Sequence, residues 1–435
     1  MFFLHINDND FDTRFAAILS RGDETGREVE QVVLGIIADV RQRGDDAVLE
    51  LTRRFDRLEA ASVAELEVSG AEIEAAFAQV AAEDVAALKL ACERVARFHE
   101  KQKQQTWLST EEPDVMLGQK VTPLARVGIY VPGGKASYPS SVIMNAVPAR
   151  VAGVGEIIMV APTPGGEINP HVLVAARLSG VDRIFRMGGA QAVAALAYGT
   201  ETIPMVDKVT GPGNIYVATA KKLVFGQVGI DMIAGPSEIL VISDGSGIAA
   251  NIAADLLSQA EHDELASSIL ITIDRSFAEQ VAAEVERQLA QLSRETIARA
   301  SWEKYGAIIV AATLDEAISF SNRIAPEHLE LAVADPFAIL PAITNAGAIF
   351  MGHWTPEAAG DYLAGPNHTL PTGGTARFFS PLSVDDFVKK SSIVYFSEDG
   401  LKRLGNDIVR IAGLEGLEAH GRSVSIRLGS NGSKQ

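Results

Sequence analysis

The fold is decided by a stretch that reads RVGIYVPGGKASYPSSVIMNAVPARVAGVGEIIMV, residues 126–160. Its first part, Arg126 to Val131, is a short β-branched run that predicts a strand ending at Pro132-Gly133-Gly134. Helical spacing follows from Ser141 to Val154, and Glu156 to Val160 predicts the next strand. A strand, a helix and a second strand in this order predict a βαβ unit, whose strands pair in parallel.

The alternation continues from this stretch towards the C-terminus. Up to about residue 225 it predicts helices at Pro170–Ser179, Ala190–Tyr198 and Asn214–Phe225, and strands at Arg183–Arg186 and Met205–Val209. A second, looser set has strands at Ile239–Ile242, Ser268–Ile273, Ala307–Ala311 and Gly347–Met351, and helices at Ile248–His262, Ser276–Arg294 and Leu314–Ile324. Two such sets predict two α/β units of similar size.

Both ends of the chain differ from this middle part. The first hundred residues have helical period, at Val29–Gly44, Asp45–Asp56, Ser69–Gln79 and Ala82–Gln102, and Asp45 looks like a helix N-cap. The tail from Ser380 holds a strand (Ile393–Phe396), a helix (Gly400–Glu418) and a basic end, which together predict an arm. The predicted fold class is α/β, with two Rossmann-like parallel-sheet units, a helical N-terminal region and a C-terminal arm.

For the domain organisation we predict four parts. They are an N-terminal segment (1–24), a discontinuous first α/β domain (25–127 plus 241–378), a nucleotide-binding second α/β domain (128–240) and a C-terminal arm for dimerisation (379–435).

Composition excludes several classes of protein. The formal net charge of −18 argues against nucleic acid or an anionic membrane as a partner, because both need basic patches. Cys92 is the only cysteine and lies in a helical stretch, so it predicts a small core residue and excludes a cysteine-built zinc site. The N-terminus has no basic region and no long apolar run, which favours the cytoplasm over export.

Three glycine loops follow predicted strands. They are Pro132-Gly133-Gly134, Gly188-Gly189-Ala190-Gln191 and Gly211-Pro212-Gly213-Asn214. None has the GxGxxG spacing of a dinucleotide fingerprint. Loops of this kind can cradle phosphate at a helix N-terminus, although glycine there also serves simply to turn the chain.

Polar residues in the second half suggest a metal site. Gln259 and His262 are three apart on a predicted helix and therefore share a face. With Asp361 and His420 they would form an oxygen and nitrogen donor set that suits Zn²⁺. A solvated helix face is the alternative, and sequence spacing does not decide between the two.

The tetrapeptide Ala325-Pro326-Glu327-His328 is the other candidate for chemistry. Pro326 ends the preceding helix, and Leu329, Leu331 and Val333 then alternate as a strand. Glu327 and His328 therefore lie in a helix-to-strand loop, where both side chains can enter one cavity as proton acceptors. A solvated polar loop is the alternative.

Taken together, these stretches resemble histidinol dehydrogenase over nearly the whole chain. The segments that carry the resemblance are Val131–Ser141, Gly188–Gln191, Gly211–Asn214, Ala234–Glu238, Leu257–His262, Ala325–Leu329, Gly360–Tyr362, Pro366–Gly374 and His420–Arg422.

The resemblance implies a function and the residues that perform it. It implies NAD-linked, four-electron oxidation of L-histidinol to L-histidine through the aldehyde, with two NAD consumed per turnover and one Zn²⁺ per subunit. Glu327 and His328 would be the proton acceptors. Family members are homodimers whose C-terminal arm completes the partner's site. The implied zinc ligands are Gln259, His262, Asp361 and His420, the implied NAD contacts are Tyr130, Gln191 and Asn214, and the implied substrate contacts are Ser237, Gln259, His262, His328, Asp361, His368, Glu415 and His420.

Two rival functions stay open at this stage. A zinc hydrolase on the same scaffold would use Glu327 to activate water and would need no nicotinamide. A non-catalytic relative would bind imidazole compounds without turnover.

Overall fold

The computed structural model describes residues 1–19, 26–133 and 138–429 and divides the chain into two compact units. The first comprises Met1–Gln102 with Leu124–Phe387, and the second comprises Lys103–Pro123 with the chain from Val388 onward. The strands are β1 (Phe2–His5), β2 (Trp107–Ser109), β3 (Val115–Pro123), β4 (Arg126–Tyr130), β5 (Glu156–Ala161), β6 (Arg183–Arg186), β7 (Lys208–Thr210), β8 (Gly229–Ile230), β9 (Glu238–Ser243), β10 (Ser267–Thr272), β11 (Ala307–Val310), β12 (His328–Ala332), β13 (Ala348–Met351) and β14 (Val388–Phe396). The helices are α1 (Phe11–Leu19), α2 (Arg27–Arg43), α3 (Asp45–Asp56), α4 (Gly70–Gln79), α5 (Ala82–Glu100), α6 (Pro139–Ala152), α7 (Pro170–Ser179), α8 (Gly189–Tyr198), α9 (Ile215–Val224), α10 (Ala249–Ala260), α11 (Arg275–Leu289), α12 (Glu295–Tyr305), α13 (Leu314–Ile324), α14 (Pro336–Ile339), α15 (Glu357–Ala359), α16 (Glu398–Leu414) and α17 (Glu418–Arg427).

The first unit contains two parallel sheets, as the sequence predicts. One sheet has six strands in the order β1-β11-β10-β9-β12-β13, and every pair in it is parallel. The other has five strands in the order β6-β5-β4-β7-β8, again all parallel. The predicted α/β fold class with two parallel-sheet units is confirmed.

Helices cover both faces of the six-stranded sheet because its strands are apolar on both sides. On one face α10, α11 and α12 pack around Trp302, which is 1% exposed. On the other face α1 and α13 pack over a core that includes Leu329 and Leu331. Strand β12 therefore has apolar residues towards one core and places its alternate residues, His328 and Glu330, on the opposite face.

The five-stranded sheet shares its core with the N-terminal helices. Helix α2 packs against α8 and α9, α3 packs against α8, and α5 packs against α6 and α7. The predicted domain limits instead group residues 25–127 with 241–378, and those limits stay a prediction. Cys92 on α5 is buried as predicted, with its Sγ atom 3.5 Å from Ser179 Oγ.

Several local predictions are wrong for identifiable physical reasons. Asp45 is not an N-cap, because Gly44, with φ +56°, forms the corner between α2 and α3, and the Asp45 carboxylate accepts a hydrogen bond of 2.6 Å from the Thr202 hydroxyl. The helix predicted at Ser276–Arg294 ends at Leu289, and α12 follows it without having been predicted. The strand predicted at Met205–Val209 is shorter and begins at Lys208.

The second unit is a small antiparallel sheet with two helices. Its strands lie in the order β14-β3-β2, and β14 pairs with β3 along its whole length. The predicted tail helix is two helices, because Gly416, with φ +71°, separates α16 from α17. Within the described ranges no helix is both long and apolar enough to span a membrane.

Candidate active site

Glu327 and His328 lie at the amino edge of the six-stranded sheet. Helix α13 ends at Ile324, its C-cap Ala325 turns the chain with a φ of +51°, and Pro326 prevents the helix from continuing. His328 is the first residue of β12 and pairs with Ile239 on one side and Ala348 on the other. Both side chains are buried, with 6% of Glu327 and 4% of His328 exposed.

The main chain of Glu238 holds both side chains. Its N–H donates a hydrogen bond of 2.8 Å to Glu327 Oε2, and its carbonyl lies 2.9 Å from His328 Nδ1. A carbonyl only accepts, so Nδ1 must carry the proton. Nε2 is then the nitrogen that can gain or lose a proton, and it has no hydrogen-bond partner among the described residues.

Carboxylates surround the His328 ring. Glu327 Oε2 and Glu357 Oε1 each lie 3.6 Å from Nδ1, and Asp361 Oδ1 lies 3.7 Å from Nε2. Asp361 Oδ1 is also 3.9 Å from His368 Nδ1. Ligand atoms of His328, Glu357 and Asp361 all lie within 4.8 Å of one another, a spacing that could hold a metal ion.

Gln259 and His262 meet at the end of α10. The helix, predicted to run to His262, ends at Ala260, so His262 lies two residues beyond it, yet its Nδ1 is 3.3 Å from the Gln259 side-chain amide. Gln259 is wholly buried. Its side-chain amide also contacts the carboxylate of Glu357. The favoured orientation of the amide directs the oxygen to His262 and places the nitrogen 2.5 Å from Glu357 Oε1, to which it donates a hydrogen bond.

Burial and charge shift the acid–base properties of this cluster. Burial raises the pKa of Glu327 to about 8 and that of Glu357 to about 7, although the nearby His328 lowers both. Burial alone would lower the pKa of His328, but the carboxylates of Glu327, Glu357 and Asp361 outweigh it and raise that pKa well above its usual value. Burial lowers the pKa values of His262 and His368. Such perturbed groups in one cavity are typical of a functional site.

Glu357 was missed by the sequence analysis. It comes four residues before Asp361 on the helical turn that begins at α15, so both side chains emerge on one side of that turn. That spacing was the available signal, but a lone glutamate at a Pro-Glu helix start is an ordinary first-turn residue.

The residues implied to contact NAD lie around the five-stranded sheet. The Tyr130 hydroxyl accepts a hydrogen bond of 3.1 Å from the N–H of Gly189. Gln191 is 1% exposed, and within the described chain neither amide atom of its side chain has a partner. The Asn214 side chain caps α9 by accepting from the N–H groups of Tyr216 and Val217.

The glycine loops are less open to phosphate than the sequence suggests. The N–H of Gly188 donates to Asp56, and the N–H of Gly211 donates to Asp231, so buried carboxylates already occupy these donors. Lys221 pairs with Asp231 and donates to the Gly211 carbonyl at 2.9 Å. These two amides are therefore not free anion donors, in contrast to the expectation; Gly134 of the remaining loop is outside the described residues.

Ser237, Glu415 and His420 are the remaining predicted site residues. Ser237 precedes β9, and its carbonyl accepts from the N–H of Ser267. Glu415 and His420 belong to the second unit, where both are exposed. Their proposed roles stay predictions.

Comparison with known proteins covers the whole chain. A family model described as histidinol dehydrogenase matches residues 19–428. The chain is 85% identical to the histidinol dehydrogenase of Geobacter sulfurreducens over 98% of this chain and 100% of that protein. It is 57% identical to that of Pseudomonas aeruginosa over 98% of this chain and 97% of the relative. The crystal structure of histidinol dehydrogenase from Elizabethkingia anophelis superposes with a TM-score of 0.93 at 37% identity, over 100% of this chain and 99% of that one.

Proposed function

The chain belongs to the histidinol dehydrogenase family and is an oxidoreductase acting on histidinol, and from this premise we propose that it oxidises L-histidinol to L-histidine in two NAD-linked steps at a zinc site. Two relatives more than 80% identical over nearly the whole chain carry that name, which supports the substrate. The zinc, the NAD and the two-step course are the proposal.

The observation that carries the proposal is the orientation of the His328 ring. The Glu238 carbonyl fixes Nδ1 at 2.9 Å, which leaves Nε2 facing Asp361 with no hydrogen-bond partner in the described chain. A general base must be unprotonated when it removes a proton, so His328, whose pKa the surrounding carboxylates raise, acts once Nε2 has lost its own proton. Nε2 is placed for that task, and we assign it the hydroxyl proton in the first oxidation and the corresponding proton in the second.

Glu327 has a separate role in the proposal. Its carboxylate is 3.6 Å from the His328 ring and is held by the Glu238 N–H. A pKa near 8, raised by burial, is close to the value that suits proton transfer at neutral pH. Glu327 therefore activates the water molecule that adds to the aldehyde.

The residues present fit a zinc ion. The Gln259 carbonyl oxygen, once its amide nitrogen faces Glu357, points at His262 Nδ1 from 3.3 Å, so two donor atoms converge. Together with Asp361 and His420 they would form the nitrogen and oxygen set that zinc accepts. When bound, zinc would hold the imidazole and amine of the substrate in place, and NAD would accept the hydride.

The structure offers an alternative trio, His328, Glu357 and Asp361, for the metal. We favour the ligand set of Gln259, His262, Asp361 and His420, because it leaves His328 Nε2 to act as the base. Glu357 is also engaged already, since it accepts hydrogen bonds from Gln259 and, at 3.2 Å, from Ser258 Oγ.

The proposed NAD contacts remain Tyr130, Gln191 and Asn214. The buried, unpartnered amide of Gln191 supports the assignment, because such a group ordinarily has a hydrogen-bond partner. His368 and Ser237 stay as proposed substrate contacts.

We also propose that the chain is a homodimer in which the second unit completes the partner's site. Helices α16 and α17 expose large apolar side chains, including Ile411 at 58%, Leu414 at 82% and Ile426 at 64%. Large apolar side chains exposed on two neighbouring helices support an interface there. The cytoplasm stays the predicted location.

One assay tests the function directly. Purified protein is incubated with limiting L-histidinol and excess NAD, once with added zinc and once after chelation, and NADH is counted by absorbance. We expect two NADH per histidinol with zinc and none after chelation, with recovery on adding zinc. A single NADH would contradict the two-step course, full activity without metal would contradict the zinc site, and histidinol binding with no NADH would favour a non-catalytic relative.

A further inference from the structure

We propose that Glu357 is the positioning residue that fixes the side-chain amide of Gln259, so that its oxygen and not its nitrogen faces the metal. The inference rests on the zinc site proposed above. It assigns a role to a buried carboxylate that the sequence analysis did not single out.

The geometry leaves the amide one sensible orientation. Gln259 is wholly buried, so water cannot satisfy its polar atoms. If its oxygen faced the ionised Glu357 carboxylate, two acceptors would stand 2.5 Å apart, which is repulsive. With the nitrogen there instead, it donates to Glu357 Oε1 at 2.5 Å and lies 3.3 Å from Oε2. The amide oxygen then points at His262 Nδ1.

Glu357 is itself held by one hydrogen bond to its carboxylate and one from its main chain. The hydroxyl of Ser258, the neighbour of Gln259, donates to Oε2 at 3.2 Å. The Glu357 N–H donates to Glu330 Oε1 at 2.8 Å, and Glu330 shares a hydrogen bond with Asp255. Only 2% of Glu357 is exposed. A carboxylate held in this way can fix the orientation of the Gln259 side-chain amide beside it.

An amide is a ligand that needs such control. It presents an acceptor and a donor of nearly equal size, and rotation by half a turn would direct N–H groups at a cation. Groups that orient metal ligands typically contribute 10-fold to 100-fold to metal affinity. The orientation of Gln259 therefore sets zinc affinity before any substrate binds.

The test measures zinc binding by metal-free protein, in competition with a chromophoric chelator. Glu357→Leu and Glu357→Ala both remove the acceptor, and we expect each to weaken zinc binding by about 10-fold to 100-fold. Glu357→Gln retains an acceptor oxygen and should stay closer to the unsubstituted protein. Glu261→Leu is the control for charge, because it removes a carboxylate beside His262 that makes no hydrogen bond to the Gln259 amide in the described structure. Melting curves establish which variants are folded. The test needs only one of Glu357→Leu and Glu357→Ala to fold.

A double-mutant comparison separates positioning from a general structural effect. In a Gln259→Ala background, Glu357→Leu should cause no further loss of zinc affinity. An equal loss in that background would overturn the inference, as would unchanged affinity in a folded Glu357→Leu protein. If the unsubstituted protein itself fails to bind zinc, the proposed function fails instead, so the two failures are distinguishable.

Discussion

Glu238 brings the two proposed proton acceptors together through its main chain. Its N–H binds the Glu327 carboxylate and its carbonyl binds the His328 ring, at 2.8 and 2.9 Å. Because both contacts come from one peptide segment at the start of β9, the spacing of acid and base is set by strand pairing. The chemistry at this point therefore depends on the register of the sheet.

Substitution of the pair should separate the two oxidations. Glu327→Gln preserves shape but cannot activate water, so we expect oxidation of the aldehyde to fall by about 10²–10⁴-fold while oxidation of the alcohol is largely retained. His328→Asn removes the base and should slow both steps. Single-turnover NADH formation from histidinol and from histidinal measures each half. Equal losses of both halves in the Glu327 variant would contradict the division of roles.

At the residue scale the sequence predicts local spacing but not contacts between distant segments. The proximity of Gln259 and His262 follows from helical spacing, and the break before Glu327 follows from Pro326. The contact of Glu357 with Gln259 joins segments 98 positions apart in the numbering. It depends on the pairing of β12 with β9, which the spacing of residues does not determine.

Strand β12 is the element that organises the site. Leu329 and Leu331 enter the apolar core, and Glu330, two residues from His328, lies on the same side of the strand as His328. Burial raises the pKa of Asp255 to about 6, although a hydrogen bond from Glu330 opposes this, and raises that of Glu330 well above its usual value. Glu330 therefore retains a proton and donates it towards Asp255.

This pair makes stability depend on pH. The pKa of Asp255 rises from 3.8 to about 6 on folding, so its contribution is present below pH 3.8 and is lost as the pH rises through 6. The loss is at most about 1.4 kcal/mol per pH unit. Asp255→Asn should flatten the curve of unfolding free energy between pH 4 and 6, as measured by urea denaturation. Glu74→Gln on exposed α4 controls for loss of a carboxylate, and parallel curves for the Asp255 variant and the unsubstituted protein would refute the prediction.

Helices and strands with a clear apolar period are predicted well from the sequence. Those that depend on pairing with a distant segment are not. Helices α3 and α7 and strand β6 have their predicted bounds because apolar period and terminal glycines mark them locally. Helix α12 follows α11 after a short turn, so the apolar pattern runs on past Leu289. Strand β3 is a strand because β14 pairs with it along nine residues, and its own sequence is mixed.

For the whole molecule, the site lies at an edge that general rules do not favour. Ligands of open parallel sheets ordinarily bind at the carboxyl ends of strands, where the sequence analysis placed the glycine loops. His328 and Glu238 are instead the first residues of β12 and β9, at the amino edge. The sequence predicts the two sheets but not the edge at which the candidate site lies. That edge depends on how the loops before and after the strands are arranged in the fold.

Sharing of the site between subunits can be tested by mixing inactive variants. If the partner supplies His420, heterodimers of His328→Asn and His420→Asn contain one intact site, and a reassociated mixture should recover about one quarter of full activity. A mixture of His328→Asn with His262→Asn should stay inactive, since both residues come from the same chain. No recovery in the first mixture, with heterodimers shown to be present, would contradict the shared site.

The lone thiol of Cys92 gives this chain a built-in probe of its own opening. It faces Ser179 across the contact of α5 with α7, and burial raises its pKa, so an alkylating reagent meets almost no thiolate while those helices stay together. Modification must wait for the two helices to part, and its rate in native buffer therefore reports how often they do so. With a single cysteine, every labelled molecule records the same local event.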